Sequence, residues 1–334
     1  MQIVRNLDEQ VWRDFVGKHP QGNIFHTPEM FAVYQLAAGH DPGLWAAVED
    51  GSEVLALMLP VEITLLNGPA RSFTSRAVAY GSALTAPGTR GQAALGHLLH
   101  SYNREMRNRL LFTELRNLSD LKESHPILND HGFEFEDHLN FLIDLNRSPS
   151  QIWNGIRPNA RRNIKKARNS HVRIEEVQDP AEIVLAYKVL KNVYHRIQVP
   201  LPDISLFQTA FDTLAPRGMM KVLCAKLQDV TIGVLTLLFY KEIIYYWYTG
   251  TLKEYSAYRP GDLLVWHSLE MGNQLGFKVF DFGGGGRPNE KYGVRDFKAK
   301  FGGELVNFGR NVRVHSPLRL KISQAGYQLV RRFF

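Results

Sequence analysis

The sequence predicts an α+β protein in which one unit is used twice in tandem. Three observations carry that expectation. A strand pair, a polar loop, an amphipathic helix and closing strands follow one another in residues 1–148. The same order recurs in residues 149–316. Between them stands a helix start, Ser148-Pro149-Ser150-Gln151, with a serine cap, proline at the first helical position and glutamine three residues after the cap. A length of 334 residues agrees, since domains average roughly 150 residues.

In the first half, Leu44–Val48 and Val54–Thr64 are apolar runs flanking Glu49-Asp50-Gly51-Ser52, and Asp-Gly between such runs signals a hairpin. The polar loop Pro87-Gly88-Thr89-Arg90-Gly91-Gln92 leads into a helix over about 92–109, whose stripe is Leu95, Leu98, Leu99 and Tyr102. Strands are expected at Leu110–Leu115, around Gly132–Glu136 and at Asn140–Leu145. In the second half, Lys221–Leu227 and Ile232–Tyr240 flank the turn Gln228-Asp229, and an aromatic strand follows at Ile243–Thr249. Then come the loop Tyr258-Arg259-Pro260-Gly261-Asp262, a helix over about 261–275, a strand at Lys278–Phe282, and a last pair at Gly302–Phe308 and Asn311–Val314. Ser316-Pro317 makes a second break. Beyond it, residues 317–334 read as a basic helix with Leu320, Ser323, Tyr327 and Val330 at helical spacing, expected to dock on the first domain or to touch a membrane surface.

Composition narrows the function classes. Apolar content of 44% is that of a globular protein. One cysteine, Cys224, excludes an intramolecular disulfide, and its neighbours Val222, Leu223 and Ala225 read as a strand that buries an inert thiol. No apolar run reaches membrane-spanning length and the N-terminus lacks a leader pattern, so a cytoplasmic chain is expected, with peripheral contact at the inner membrane face as an option. A net charge of +7 favours anionic partners: a nucleotide-linked substrate, CoA, RNA or acidic lipid, with DNA not expected. The histidines are scattered, with no HExxH or His/Cys cluster, so no metal site is expected. The absence of GxSxG, of a Walker loop and of GxGxxG argues against serine hydrolysis, nucleotide hydrolysis and dinucleotide binding.

Four segments are able to carry chemistry. Arg157–Arg173 holds seven Lys or Arg and no acid. On a helix begun by Pro158, Ala160, Ile164 and Ala167 share one face while Arg161, Lys165 and Arg168 form a basic stripe. That stripe is either a solvated face or an anion-binding one. Arg259 and Gly261 stand at a helix start, whose free N–H groups suit a phosphate or a carbonyl oxygen, while Asp262 is able to serve as a plain cap. Asp281 and the glycines Gly283, Gly284, Gly285 and Gly286 close an apolar strand; such a run is either a flexible turn or a close approach to a ligand. In Phe297-Lys298-Ala299-Lys300-Phe301, read as extended, Lys298 and Lys300 share one side and the phenylalanines the other. A lysine held against an apolar wall stabilises a developing oxyanion; two surface lysines on an edge strand are the plainer alternative.

These segments, together with Gly22-Asn23-Ile24-Phe25-His26-Thr27-Pro28-Glu29-Met30, resemble in their order the motifs of the FemAB-type aminoacyltransferases and their tandem GNAT-fold relatives. The resemblance covers nearly the whole chain. It implies two GNAT-like domains and transfer of an activated acyl group onto an amine. The donor would be aminoacyl-tRNA in the peptidoglycan branch, where the acceptor is a stem-peptide amine, and acyl-CoA in others, with no tightly bound cofactor. It also implies that Lys298 is the transition-state lysine. Two departures stand out: Ala32, Val33 and Tyr34 lie where the peptidoglycan branch carries a phosphate-gripping lysine, and 150–215 has no room for the helical-hairpin arm of some tRNA-using members. The leading expectation is thus an aminoacyl- or acyltransferase with Lys298 as oxyanion donor and Asp281 as a candidate base. Its alternatives are an acyl-CoA-dependent N-acetyltransferase of a small molecule and a non-catalytic module that grips RNA or anionic lipid.

Overall fold

The computed structural model describes residues 1–51, 53–64 and 73–323. It divides into two compact units: Met1–Asp137 with the described residues from Phe308 onward, and His138–Asn307.

The first unit opens with β1 (Gln2–Val4), α1 (Glu9–Lys18), α2 (Pro28–Leu36) and β2 (His40–Pro42). The expected hairpin is β3 (Trp45–Glu49) with β4 (Glu53–Met58), and both Asp50 and Gly51 take the positive φ that such a turn needs. The run expected as one strand to Thr64 is broken at Leu59-Pro60, where proline withholds an N–H from the ladder, and resumes as β5 (Val61–Ile63). A second run is likewise split into β6 (Arg76–Tyr80) and β7 (Ala83–Thr85) by Gly81 and Ser82, both at positive φ. Then follow α3 (Gly88–Met106), β8 (Phe112–Arg116), α4 (His125–Asp130) and β9 (Glu134–Glu136). The α3 stripe of Leu95, Leu98, Leu99 and Tyr102 is buried as its spacing requires and packs on β3 and β4, in one cluster with Trp45, Ala47, Leu55 and Met58.

The second unit begins with β10 (Leu139–Asp144), α5 (Pro149–Gly155) and α6 (Pro158–Asn169). Ser148 and Gln151 form the capping box that the sequence announced. Next come β11 (Arg173–Glu176), α7 (Pro180–Arg196), α8 (Ile204–Leu214), and the meander β12 (Met220–Leu227), β13 (Val230–Tyr240) and β14 (Ile243–Thr251). The unit ends with α9 (Pro260–Gln274), β15 (Val279–Gly284), α10 (Gly293–Lys298) and β16 (Glu304–Asn307). Cys224 lies buried on β12, and burial pushes its thiol up to about 12, the inert thiol expected.

Strand β17 (Arg310–Val314) then returns to the first unit, between β8 and β9. The first unit has sheets ordered β1-β3-β4-β7 and β2-β5-β6-β8-β17-β9; the second has one seven-stranded sheet, β11-β12-β13-β14-β15-β10-β16. With β2 and β3, β4 and β5, and β6 and β7 each taken as one strand, the two orders are the same. In both, the last strand but one comes from the other half of the sequence. Each also has one parallel pair, β6 with β8 and β14 with β15.

The divisions expected at 148/149 and 316/317 therefore shift to 137/138 and 307/308. The physical reason is pairing: β10 bonds to β15 and β16, while β17 bonds to β8 and β9. Residues 317–323 are helical, and Arg319 donates to the Asn108 carbonyl of the first unit. Tyr327 and Val330 lie outside the described residues.

Candidate active site

The parallel pair of the second unit is short. β14 meets β15 only through Ile243, Ile244 and Tyr245, opposite Val279, Phe280 and Asp281. Past that point β14 bulges: Leu237 faces Tyr246 but Thr236 faces Tyr248, leaving Trp247 as the extra residue. The Thr236 hydroxyl closes the bulge, accepting from the Tyr248 N–H at 2.8 Å and donating to the Tyr248 carbonyl at 3.0 Å. On its other side β15 has a second irregularity, since Asn140 pairs with Gly284 but Leu142 with Asp281. Phe282 and Gly283 are left without a strand partner on either side.

Lys298 fills that gap. It is 5% exposed, and its Nζ donates to the carbonyls of Phe282 at 2.6 Å, Gly284 at 2.9 Å and Gly283 at 3.3 Å. The ammonium lies 5.5 Å from the Tyr246 ring centroid. It thus supplies the donors that a neighbouring strand supplies elsewhere in a sheet. Burial pushes the Lys298 ammonium down to about 8, opposed by the Asp281 carboxylate. The three carbonyls favour the charged form as well.

The sequence-based reading of 297–301 as extended is corrected here. Gly293–Lys298 is α-helical and a 3₁₀ turn covers Ala299–Phe301. The two lysines therefore part. Lys300 Nζ reaches Asp262 Oδ1 at 3.4 Å and sits 4.5 Å from the Phe297 ring centroid.

Asp281 is buried at the end of β15. Its Oδ1 accepts from Asn140 Nδ2 and from the Gly283 N–H, each at 2.7 Å. Burial raises its carboxyl above the usual range, against the pull of those two donors and of Lys298. The carboxylate holds Gly283 at φ +66°, a left-handed value that glycine adopts without strain. Gly284 has a different reason: a Cβ there would lie 2.6 Å from His138 Nε2. The glycine run thus brings β15 close to protein neighbours.

Helix α9 starts beside this gap. Arg259 is its N-cap, left-handed at φ +59° and ψ +39°, exposed, and without a side-chain cap bond. Asp262 is therefore not the cap. It lies in the first turn, 5% exposed, accepting from Asn163 Nδ2 of α6 at 3.1 Å and from Lys300. A Cβ on Gly261 would rest at 3.4 Å from Thr251 and 3.7 Å from Phe297, an ordinary contact. On α6, Ala160, Ile164 and Ala167 are fully buried and the basic stripe faces out, as the periodicity requires. Lys165 is exposed, Arg161 reaches Asn154 at 3.4 Å, and Arg168 pairs with Glu270 at 3.2 Å.

The structure thus groups Lys298, Asp281, Gly283 and Gly284, and separately Arg259, Gly261 and Lys300. Sequence reasoning missed Asn140, Asn163, Tyr246 and the Trp247 bulge. Asn140, a polar residue inside the apolar run Leu139–Leu145, was the one with a visible signal.

An acetyltransferase (GNAT) domain family matches residues 155–298, from the end of α5 to Lys298. The structure is similar to that of FemX, with a TM-score of 0.72, 15% identity and coverage of 97% of this chain and 100% of that one. The fold is a tandem GNAT fold. L-PGS from Bacillus licheniformis superposes with a TM-score of 0.61 at 12% identity, covering 97% of this chain and 98% of that one. A tandem GNAT protein from the clavulanic acid biosynthesis pathway gives 0.60 at 11% identity, with 95% and 99% covered. No curated protein matches the sequence. Within the GNAT fold the parted pair β14/β15 lies inside the matched segment, as does Lys298 at its last position. Among the described residues no helix is long and apolar enough to cross a membrane.

Proposed function

We propose that the second unit transfers an activated acyl group, in the first instance aminoacyl, from an ester or thioester to an amine. The observation that carries this reading is the gap between β14 and β15 with a buried ammonium at its floor. In this reading an extended acyl chain lies beside the parted strands, with the Lys298 ammonium, which takes the place of ladder bonds there, against its carbonyl. In the reaction the amine nitrogen forms a bond to the carbonyl carbon and the C=O pair moves onto oxygen. The oxyanion then collapses, the carrier alcohol or thiol leaves, and the amine proton departs with it or to solvent.

Lys298 is the donor for that oxyanion. Its bond to Gly283 is the longest of the three, so the oxyanion replaces the Gly283 carbonyl at least disturbance. Asp281 is better suited to positioning than to proton abstraction, because its buried Oδ1 already holds two donors. The resemblance to FemAB-type enzymes makes an aminoacyl donor and a peptidoglycan-precursor amine the leading pair. A second reading, a non-catalytic module for RNA or anionic lipid, is favoured only by the outward basic stripe of α6.

The test is turnover by the full chain on a panel of aminoacyl esters and amines, read by mass of the amide product. Lys298→Ala is expected to lower kcat by about a hundredfold or more with a smaller change in donor affinity, and Lys300→Ala to change it little. Equal small losses from both substitutions would remove Lys298 from the mechanism. No amide from any donor, with steeply salt-dependent RNA binding, would favour the module.

A further inference from the structure

A GNAT fold implies an acyl-CoA donor, and CoA carries a diphosphate. The place where this unit would meet one is the start of α9, beside the gap. A helix start offers N–H groups and a positive dipole end to phosphate. Here half of that offer is withdrawn. Pro260 occupies the first helical position and has no N–H. The N–H of the cap residue Arg259 is already directed at the Ser256 carbonyl, 3.2 Å away. That leaves the N–H groups of Gly261 and Asp262.

The second observation is a charge. Asp262 sits in that same turn and is 95% buried, the complement of its 5% exposure. Its Oδ1 is fixed from two sides, by Asn163 Nδ2 of α6 at 3.1 Å and by Lys300 Nζ at 3.4 Å. Lys300 is thereby committed to Asp262, with its ammonium over Phe297. The turn holds one buried carboxylate, one lysine that neutralises it, and the exposed Arg259. A diphosphate placed there would face a like charge at short range inside a partly dry site, with few N–H groups to offset it. The residues at this turn do not fit a diphosphate.

We infer that Asp262 is a specificity-determining residue that keeps diphosphate-bearing donors such as acyl-CoA off α9 and leaves the site to acyl esters or thioesters whose carrier presents no diphosphate there. The inference rests on the acyl-transfer reading for its meaning, but its test measures binding alone and needs no turnover.

The full chain and its Asp262→Asn variant are titrated with CoA, by calorimetry and by thermal shift, with adenosine 3′,5′-bisphosphate as the probe lacking the diphosphate bridge. The wild-type chain is expected to show no saturable CoA binding up to about 1 mM, the upper end of ordinary substrate constants. Asp262→Asn keeps the shape and the Asn163 contact, frees Lys300, and is expected to bind CoA at least about tenfold more tightly, with little gain for the bisphosphate. Asp262→Ser carries the same expectation should the asparagine variant fail to fold. Wild-type binding that the substitutions leave unchanged or weaken would overturn the inference, and so would a lack of CoA binding by every variant. Failure of acyl transfer from all donors, with the CoA pattern as expected, would instead count against the activity and leave the selectivity of the turn standing.

Discussion

A lysine ammonium has three hydrogens, and at Lys298 each has a main-chain carbonyl. Removing the charge leaves those acceptors buried and unpaired, so Lys298→Met is expected to lower stability by about 2–4 kcal/mol as well as turnover. Urea denaturation separates the two effects. In the proposed reaction it is the charged form that would stabilise the oxyanion, so kcat should fall as pH rises through about 8, the value to which burial brings this group. Lys298→Arg should move that limb to higher pH if any activity survives; a limb that stays put would assign it to another residue. Stability runs the other way: between about 8 and the unfolded value of 10.5 the unfolded chain binds more protons, so this group's contribution rises with pH across that window. The sequence singled out Asp281 at a strand end, where it lies, and Lys298 on an extended segment, where it does not. Phe297 and Phe301 are four apart, a spacing that puts two residues on one side of a strand and on one face of a helix alike. Five residues do not tell the two apart.

Element by element, a helix was legible where its apolar stripe was sharp, and α7 and α8 went unread. Helix α6 repeats Ala160, Ile164 and Ala167 at helical spacing, and all three are fully buried. Ile164→Ala should therefore cost about 2–4 kcal/mol, measured by thermal or denaturant unfolding. Lys165→Glu, on the exposed stripe, should stay within about 0.5 kcal/mol of wild type. Reversing Arg161 and Lys165 together should weaken a phosphate-bearing ligand and flatten its salt dependence; unchanged affinity and slope would mean that the stripe is only solvated. Most strands were placed but their ends were not, because what ends a strand is often not its own pattern. Pro60 gave warning of the break between β4 and β5. The break at Gly81-Ser82 and the Trp247 bulge gave little, since a run of apolar residues continues on both sides.

At the scale of the whole molecule, the repeat was legible and the assignment of its closing strands was not. Alternation records which face of a strand is apolar; it does not record which sheet accepts the strand. Both β10 and β17 follow their predecessors by short turns, as ordinary hairpin partners do, yet each completes the sheet of the other half. A partly buried chain of hydrogen bonds anchors β17: Tyr102 Oη and Thr113 Oγ1 are 2.8 Å apart, and Thr113 Oγ1 is 2.8 Å from Nε2 of His315, one residue past the strand. Burial brings His315 down to about 4 from 6.5. Its contribution is then present above about pH 6.5 and lost as pH falls through 4, a loss of about 2–3 kcal/mol that His315→Phe should remove. Denaturant midpoints between pH 4 and 7 test this; parallel curves for both proteins would place the acid sensitivity elsewhere. The returning strand also sets a schedule. On the ribosome residues 1–137 emerge first, yet their sheet lacks a member until residues 310–314 have followed. While the whole second unit is being made, the gap between β8 and β9 stays open, so the first unit is born with an unfinished seam that a strand from beyond the second unit is built to close.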